Sequence, residues 1–134
     1  MTMMPPRANR FTEVALRNRD RAEPVEIWKA RNFIHEHSDE DLSLTKVAKS
    51  VHISPNYLSE RFKEVTGVNF VDYIARHRIE KARKLLQDLN LRISEIAFAV
   101  GFQSLSQFNR VFRKLAGKSP TAYRAAKANR RHRD

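Results

Sequence analysis

The chain carries one pattern of residues twice. Leu44, Val47, Ala48 and Val51 match Ile93, Ile96, Ala97 and Val100 at an offset of 49. After a short gap, Ser54, Leu58, Phe62, Lys63, Gly67 and Tyr73 match Ser104, Phe108, Phe112, Arg113, Gly117 and Tyr123 at an offset of 50. A duplication of this length restricts the fold to two like units. The one-residue difference falls in the gap, where a change of loop length costs little.

Each copy reads as a pair of helices. Ile93, Ile96, Ala97 and Val100 stand at i, i+3, i+4 and i+7, a single helical face. Gly101 follows, where a helix end calls for a positive-φ residue. Ser104 fits an N-cap, with Gln107 at the capping-box spacing. Phe108, Val111, Phe112 and Leu115 form the next apolar stripe, with Ser106, Gln107, Arg110 and Arg113 largely opposite. Gly117 stops this helix, and Ser119-Pro120 opens another. In the first copy Ser54-Pro55 opens the longer helix, Leu58, Phe62 and Val65 turn inward, and Gly67 ends it. His52 replaces Gly101; a non-glycine residue at positive φ costs about 1–2 kcal/mol, and histidine tolerates it better than most. A short helix, a tight turn and a longer two-faced helix make a helix-turn-helix, whose second helix enters the DNA major groove.

The second copy resembles the signature of the AraC/XylS family of bacterial transcription regulators. The residues that carry the likeness are Ile96-Ala97, Val100-Gly101-Phe102, Ser104, Phe108, Arg110, Phe112-Arg113, Gly117, Ser119-Pro120 and Tyr123-Arg124. The likeness extends over about Val25 to Arg124. It implies an all-α, seven-helix domain: two helix-turn-helix subdomains joined by a long linker helix, with both recognition helices in successive major-groove segments on one face of the DNA. It further implies a transcription regulator, usually an activator, in the cytoplasm. RNA polymerase is then a second candidate partner, and the DNA-binding domain alone is expected to be a monomer.

Around the two units the organisation is simple. Residues 1–23 read as a disordered or linker-like basic segment, with Arg7, Arg10, Arg17, Arg19 and Arg21 and a short frayed helix around Phe11 to Arg19 as one option. The first subdomain spans 24–67 and begins with an amphipathic helix from Pro24 to about residue 37 through Ile27, Ala30, Phe33 and Ile34. Trp28 is expected at the edge of its core. Asp39, Glu40 and Asp41 suit the positive end of the helix that Ser43 or Leu44 opens. The linker occupies 68–90, a basic helix capped by Asn69 with Asp72 and running to about Asp88. Roughly twenty residues span about 30 Å, close to the turn-to-turn separation of about 34 Å in B-DNA. The second subdomain covers 91–126, and 127–134 reads as a ragged basic tail with Lys127, Arg130, Arg131 and Arg133.

Bulk properties decide between partners. The 134 residues carry a net charge of +11 and 41% hydrophobic residues, with a pI near 10.6. Nucleic acid is the first partner for such a chain. An anionic membrane surface ranks below it, because partner helices claim the apolar faces, and no membrane association is expected. The absence of cysteine excludes disulfides and thiolate metal sites and fits a reducing compartment. His35, His37 and Asp39 are poorly spaced for a metal. With no phosphate-cradling glycine loop and no nucleophile motif, neither an enzyme nor a cofactor is expected. A protein-interaction domain that reuses this packing is the alternative class, and the charge argues against it.

The base-facing candidates in the first unit are Asn56, Ser59 and Glu60. In the second they are Ser106, Gln107, Asn109 and Arg110. Arginine pairs bidentately with guanine and glutamine with adenine, while a glutamate can accept from cytosine. Gln107 also has a competing role as cap partner, and Glu60 a plainer role as a surface partner of Arg61 or Lys63. Lys63 and Arg113, one turn further on, suit phosphates, as do the capping residues Ser54 and Ser104 with the amides beside them.

Overall fold

The computed structural model describes residues 23–133, with the backbone alone at 131–133. The basic arginines and short helix read between Met1 and Ala22 lie outside the described residues. Those described form seven helices and no strand: α1 Val25–His37, α2 Leu44–Ser50, α3 Pro55–Thr66, α4 Phe70–Leu85, α5 Ile93–Ala99, α6 Leu105–Ala116 and α7 Pro120–Arg133. This is the all-α, seven-helix arrangement that the repeat and the family likeness imply.

The caps set the boundaries. Ser43, Ser54, Ser104 and Ser119 each accept a hydrogen bond from the backbone amide three residues on, at 3.0–3.1 Å. Asn69 does the same for α4 at 2.9 Å. Each bond satisfies one of the amides a helix start leaves unpaired. Gly67 and Gly117 close α3 and α6 in the left-handed conformation at φ 80° and 84°. At Ser104 only the serine half of the capping box forms, because the Gln107 side chain makes no return bond among the described residues. The return half occurs instead at α5, where the Glu95 carboxylate accepts from the Arg92 amide at 2.7 Å.

Two hydrophobic cores result, one per unit. The first gathers Ile27, Ala30 and Ile34 from α1, Val47 and Ala48 from α2, Leu58 and Phe62 from α3, and Phe70 and Ile74 from the start of α4. The second takes Ile79 and Ala82 from the far half of α4 and Leu86 just past its end, then Ile96, Ala97, Val100, Phe102, Phe108 and Phe112. Aromatic edges repeat as the sequence does. Phe62 meets Tyr73 at 5.0 Å and Phe112 meets Tyr123 at 5.4 Å, both T-shaped. Such pairs add about 0.5–1.5 kcal/mol beyond the area they bury.

Three expectations change. Helix α4 is shorter than read, 16 residues or about 24 Å, because Asp88 folds the chain over. Its side chain accepts from the Asn90 amide at 3.0 Å, an Asx turn that competes with the helix. Each half of this linker helix also contributes to a core. Trp28 is more open than read, 51% exposed. Ile27, Ala30 and Ile34 define the buried face of α1, and a residue one step from Ile27 is rotated about 100° from it. Finally, α7 continues to Arg133, so residues 127–133 extend a helix where a ragged tail was read.

Candidate nucleic-acid interface

The surface of interest is built on α3 and α6. Burying Leu58 and Phe62 in α3, and Phe108 and Phe112 in α6, fixes the rotation of each helix about its axis. What remains outside follows from 3.6 residues per turn. Asn56, Ser59, Glu60 and Lys63 stand at i, i+3, i+4 and i+7 on α3. Ser106, Asn109, Arg110 and Arg113 stand at the same positions on α6. All are exposed, as is Gln107. The caps Ser54 and Ser104 are exposed too. Each uses its oxygen as acceptor at the helix start, which leaves the hydroxyl hydrogen to donate.

The two faces differ in charge. Helix α3 holds Glu60 and Glu64 against Arg61 and Lys63, so it is balanced. Helix α6 holds Arg110, Arg113 and Lys114 and no acid. On α3 the Arg61 guanidinium reaches Glu64 at 2.8 Å. Glu60 pairs with neither Arg61 nor Lys63 in this arrangement. Among the described ion pairs the Glu60 carboxylate has none, and it remains an open acceptor on the outward face.

Two hollows flank α6. On one side Asn109, Arg110 and Arg113 share a shallow groove with Ser119 and Thr121 at the start of α7. On the other, Gln107, Arg110 and Lys114 border a cleft with Arg76 of α4 and with Ser43 and Leu44 where α2 begins. Arg110 lies on the ridge between them, and no acidic side chain among the described residues pairs with it. Residue reasoning missed Lys114 and Arg76, which add positive charge at this rim; their lack of any apolar duty was the available signal. It also missed Tyr57, the repeat counterpart of Gln107. Tyr57 is 40% exposed, and its hydroxyl donates to Glu26 of α1 at 2.9 Å. That bond ties the front of α3 to α1.

The turns of the two units are alike with one difference. The amides of Ile53 and Phe102 donate to the carbonyls of Ala48 and Ala97 at 3.1 and 3.0 Å. The preceding residue has positive φ in both, 61° at His52 and 114° at Gly101. Among the described residues, no group of three or more His, Cys, Asp or Glu is placed to hold a metal ion. No described helix is long and apolar enough to cross a membrane.

A family profile described as a helix-turn-helix domain matches residues 47–126. The regulatory protein PocR of Salmonella typhimurium is 40% identical over 96 residues, covering 72% of this chain and 32% of PocR. The chain belongs to the AraC/XylS family. Members are DNA-binding transcription regulators. Another relative, the melibiose operon regulatory protein of Escherichia coli, is 37% identical over 99 residues, 74% of this chain and 33% of its own length. The chain thus spans about a third of these two relatives. Among solved AraC-type structures, the C-terminal domain of AraT, a response regulator from Geobacillus stearothermophilus, has a TM-score of 0.75 and 36% identity. That likeness covers 78% of this chain and 88% of that one. The DNA-binding domain of AdpA, a global transcriptional factor solved with a target DNA, has a TM-score of 0.76 at 28% identity. It covers 81% of this chain and 97% of that one.

Proposed function

We propose that this chain binds double-stranded DNA sequence-specifically, with α3 and α6 in successive major-groove segments, and that the bound form regulates transcription as an activator. The observation that carries the reading is the duplication in three dimensions. Two helices with matching exposed polar faces are mounted on one continuous helix whose halves lie in both cores. A helix so presented fits the major groove, and the groove offers each base pair a distinct set of donors and acceptors.

Within this reading, Asn56, Ser59, Glu60, Ser106, Gln107, Asn109 and Arg110 face bases, and Ser54, Lys63, Ser104 and Arg113 hold phosphates. Gln107 is released for adenine because its side chain does not close the cap. Glu60 accepts from cytosine N4. The cationic face of α6 supplies most of the affinity, and the neutral face of α3 supplies discrimination. RNA polymerase is the partner that activation requires.

Sequences selected from a random duplex pool test specificity, and a hydroxyl-radical footprint on the winner tests geometry. Two protected segments about 10 base pairs apart on one side of the duplex are expected. A single protected segment sinks the two-unit reading. Titration at two salt concentrations separates DNA binding from a protein-interaction role, because phosphate neutralisation gives a steep log–log slope. Transcription from a promoter bearing the selected site should rise with added protein; a fall assigns repression instead.

A further inference from the structure

One cation joins the two units. Arg78 projects from the middle of α4 toward the end of α1. Its Nε donates to the Ser38 carbonyl at 2.8 Å, and its Nη2 donates to the Glu40 carbonyl at 2.8 Å. Both carbonyls follow the last turn of α1, where partial negative charge collects and carbonyls lack helical partners. Lys81, one turn along α4, donates to the hydroxyl of Ser38 at 3.1 Å, and Ser38 is fully buried. These contacts belong to the first unit. The same guanidinium lies over the ring of Phe102, 5.7 Å from its centroid. Phe102 belongs to the second core and meets Phe108 of the recognition helix edge-on at 5.4 Å. A path of direct contacts therefore runs from the end of α1, through Arg78, to α6.

Gly101 makes room for this arrangement. A Cβ at that position would overlap the Ser38 carbonyl oxygen and lie 2.6 Å from Arg78 Nε. The turn of the second helix-turn-helix therefore presses on the α1–α2 loop of the first, with the guanidinium wedged beside it.

We infer that Arg78 is a positioning residue for DNA recognition: it fixes the angle between the two units, and so the separation of the two half-sites the domain accepts. A guanidinium suits the task because its planar fork donates two bonds in a fixed geometry while its face packs on an aromatic ring. The inference rests on the two-unit reading of DNA binding given above. With the joint intact, docking one unit delivers the other to its groove at a high effective concentration. With the joint loosened, that advantage falls while each unit keeps its own contacts.

The test uses the full chain and the duplex it selects. Affinity is measured for that duplex, for a version with one half-site scrambled, and for a series in which base pairs are inserted or removed between half-sites. Wild-type protein should prefer one separation. Arg78→Ala should bind the single half-site within about twofold of wild type, lose about tenfold or more on the complete site, and respond weakly to separation. Arg78→Lys, which keeps the charge without the fork, should fall between. Arg124→Ala is the control for lost stability. Arg124 makes bonds of the same kind, to the Leu86 and Asp88 carbonyls at 2.9 and 3.1 Å, but bridges no unit boundary. It should keep the wild-type preference for separation. Should Arg78→Ala fail to fold, Arg78→Lys carries the comparison alone. An unchanged separation preference in a folded Arg78 variant overturns the inference and leaves the two-unit reading standing. A wild-type protein indifferent to separation removes both.

Discussion

His52 and Gly101 occupy one position of the repeat and show how a single residue answers to its surroundings. Both have positive φ, where a side chain costs about 1–2 kcal/mol and glycine almost nothing. His52 is exposed, so only backbone strain opposes it. His52→Gly should therefore raise the stability by up to about 1 kcal/mol, read as a higher denaturation midpoint; a lower midpoint would show that the histidine ring makes a contact worth more than the strain. Gly101→Ala combines the strain with collision against Ser38 and Arg78. It should cost more than the roughly 1–2 kcal/mol of positive φ alone, and a melt within experimental error of wild type would contradict the packing at that turn. Arg110 has no packing duty and no acidic partner, so Arg110→Ala should leave the melt unchanged. Its effect should appear in binding, about 1–3 kcal/mol with relaxed preference at one base pair. Full affinity for the selected site in that variant would remove Arg110 from the base-facing set.

At the scale of elements, α4 is the unusual member, because it supplies apolar side chains to both cores. Phe112→Ala in α6 removes a fully buried ring and should cost about 3–5 kcal/mol. Loss of the second core should free Ile79, Ala82 and Leu86 but leave Phe70 and Ile74 packed. Amide exchange should therefore quicken through α5, α6, α7 and the far half of α4 before it does so in α2 and α3. Equal quickening everywhere would mean that α4 transmits the loss and the two cores unfold as one. Much of this arrangement was legible in the residues. Serine caps, glycine stops and apolar stripes are local signals, and they marked the helices from α2 to α6 to within a few residues. The dual membership of α4 was not legible, since periodicity shows which residues are buried and not what buries them. Trp28 misled for a related reason: its size suggests a core, but the position of Ile27 had already turned it outward. Among the candidate site residues, exposure followed from the stripes. The pairing of Arg61 with Glu64, and the freedom of Glu60 that results, depends on rotamer choice among neighbouring charges, which spacing leaves open.

For the molecule as a whole, acid is the condition that tests how α1 and α4 are held together. His35 on α1 stacks on His77 of α4 with ring centroids 4.4 Å apart, and its Nε2 shares a 2.8 Å hydrogen bond with the Tyr73 hydroxyl. Burial is the main cause that lowers His77 from its ordinary 6.5 to about 4, with the charges of His35, Lys81 and Arg78 acting in the same direction. Burial likewise lowers His35, helped by Arg31 and Lys81. Both rings are thus neutral in the folded state at a pH where the unfolded chain already binds protons. The unfolded state then holds more protons between pH 6.5 and about 4, so stability rises with pH through that window and is lost as pH falls. The Glu40 carboxylate, lowered chiefly by its hydrogen bond from His37, acts with the same sign but only as the pH falls through the carboxylate range. The upper part of the window therefore reports the histidines. His77→Phe keeps a ring against His35 and cannot take up a proton. Denaturation midpoints measured in steps of pH should decline from near neutrality downward in the wild type and decline less in this variant. Parallel curves would mean that the stacked pair titrates alike in both states and does not govern the acid sensitivity of the α1–α4 contact.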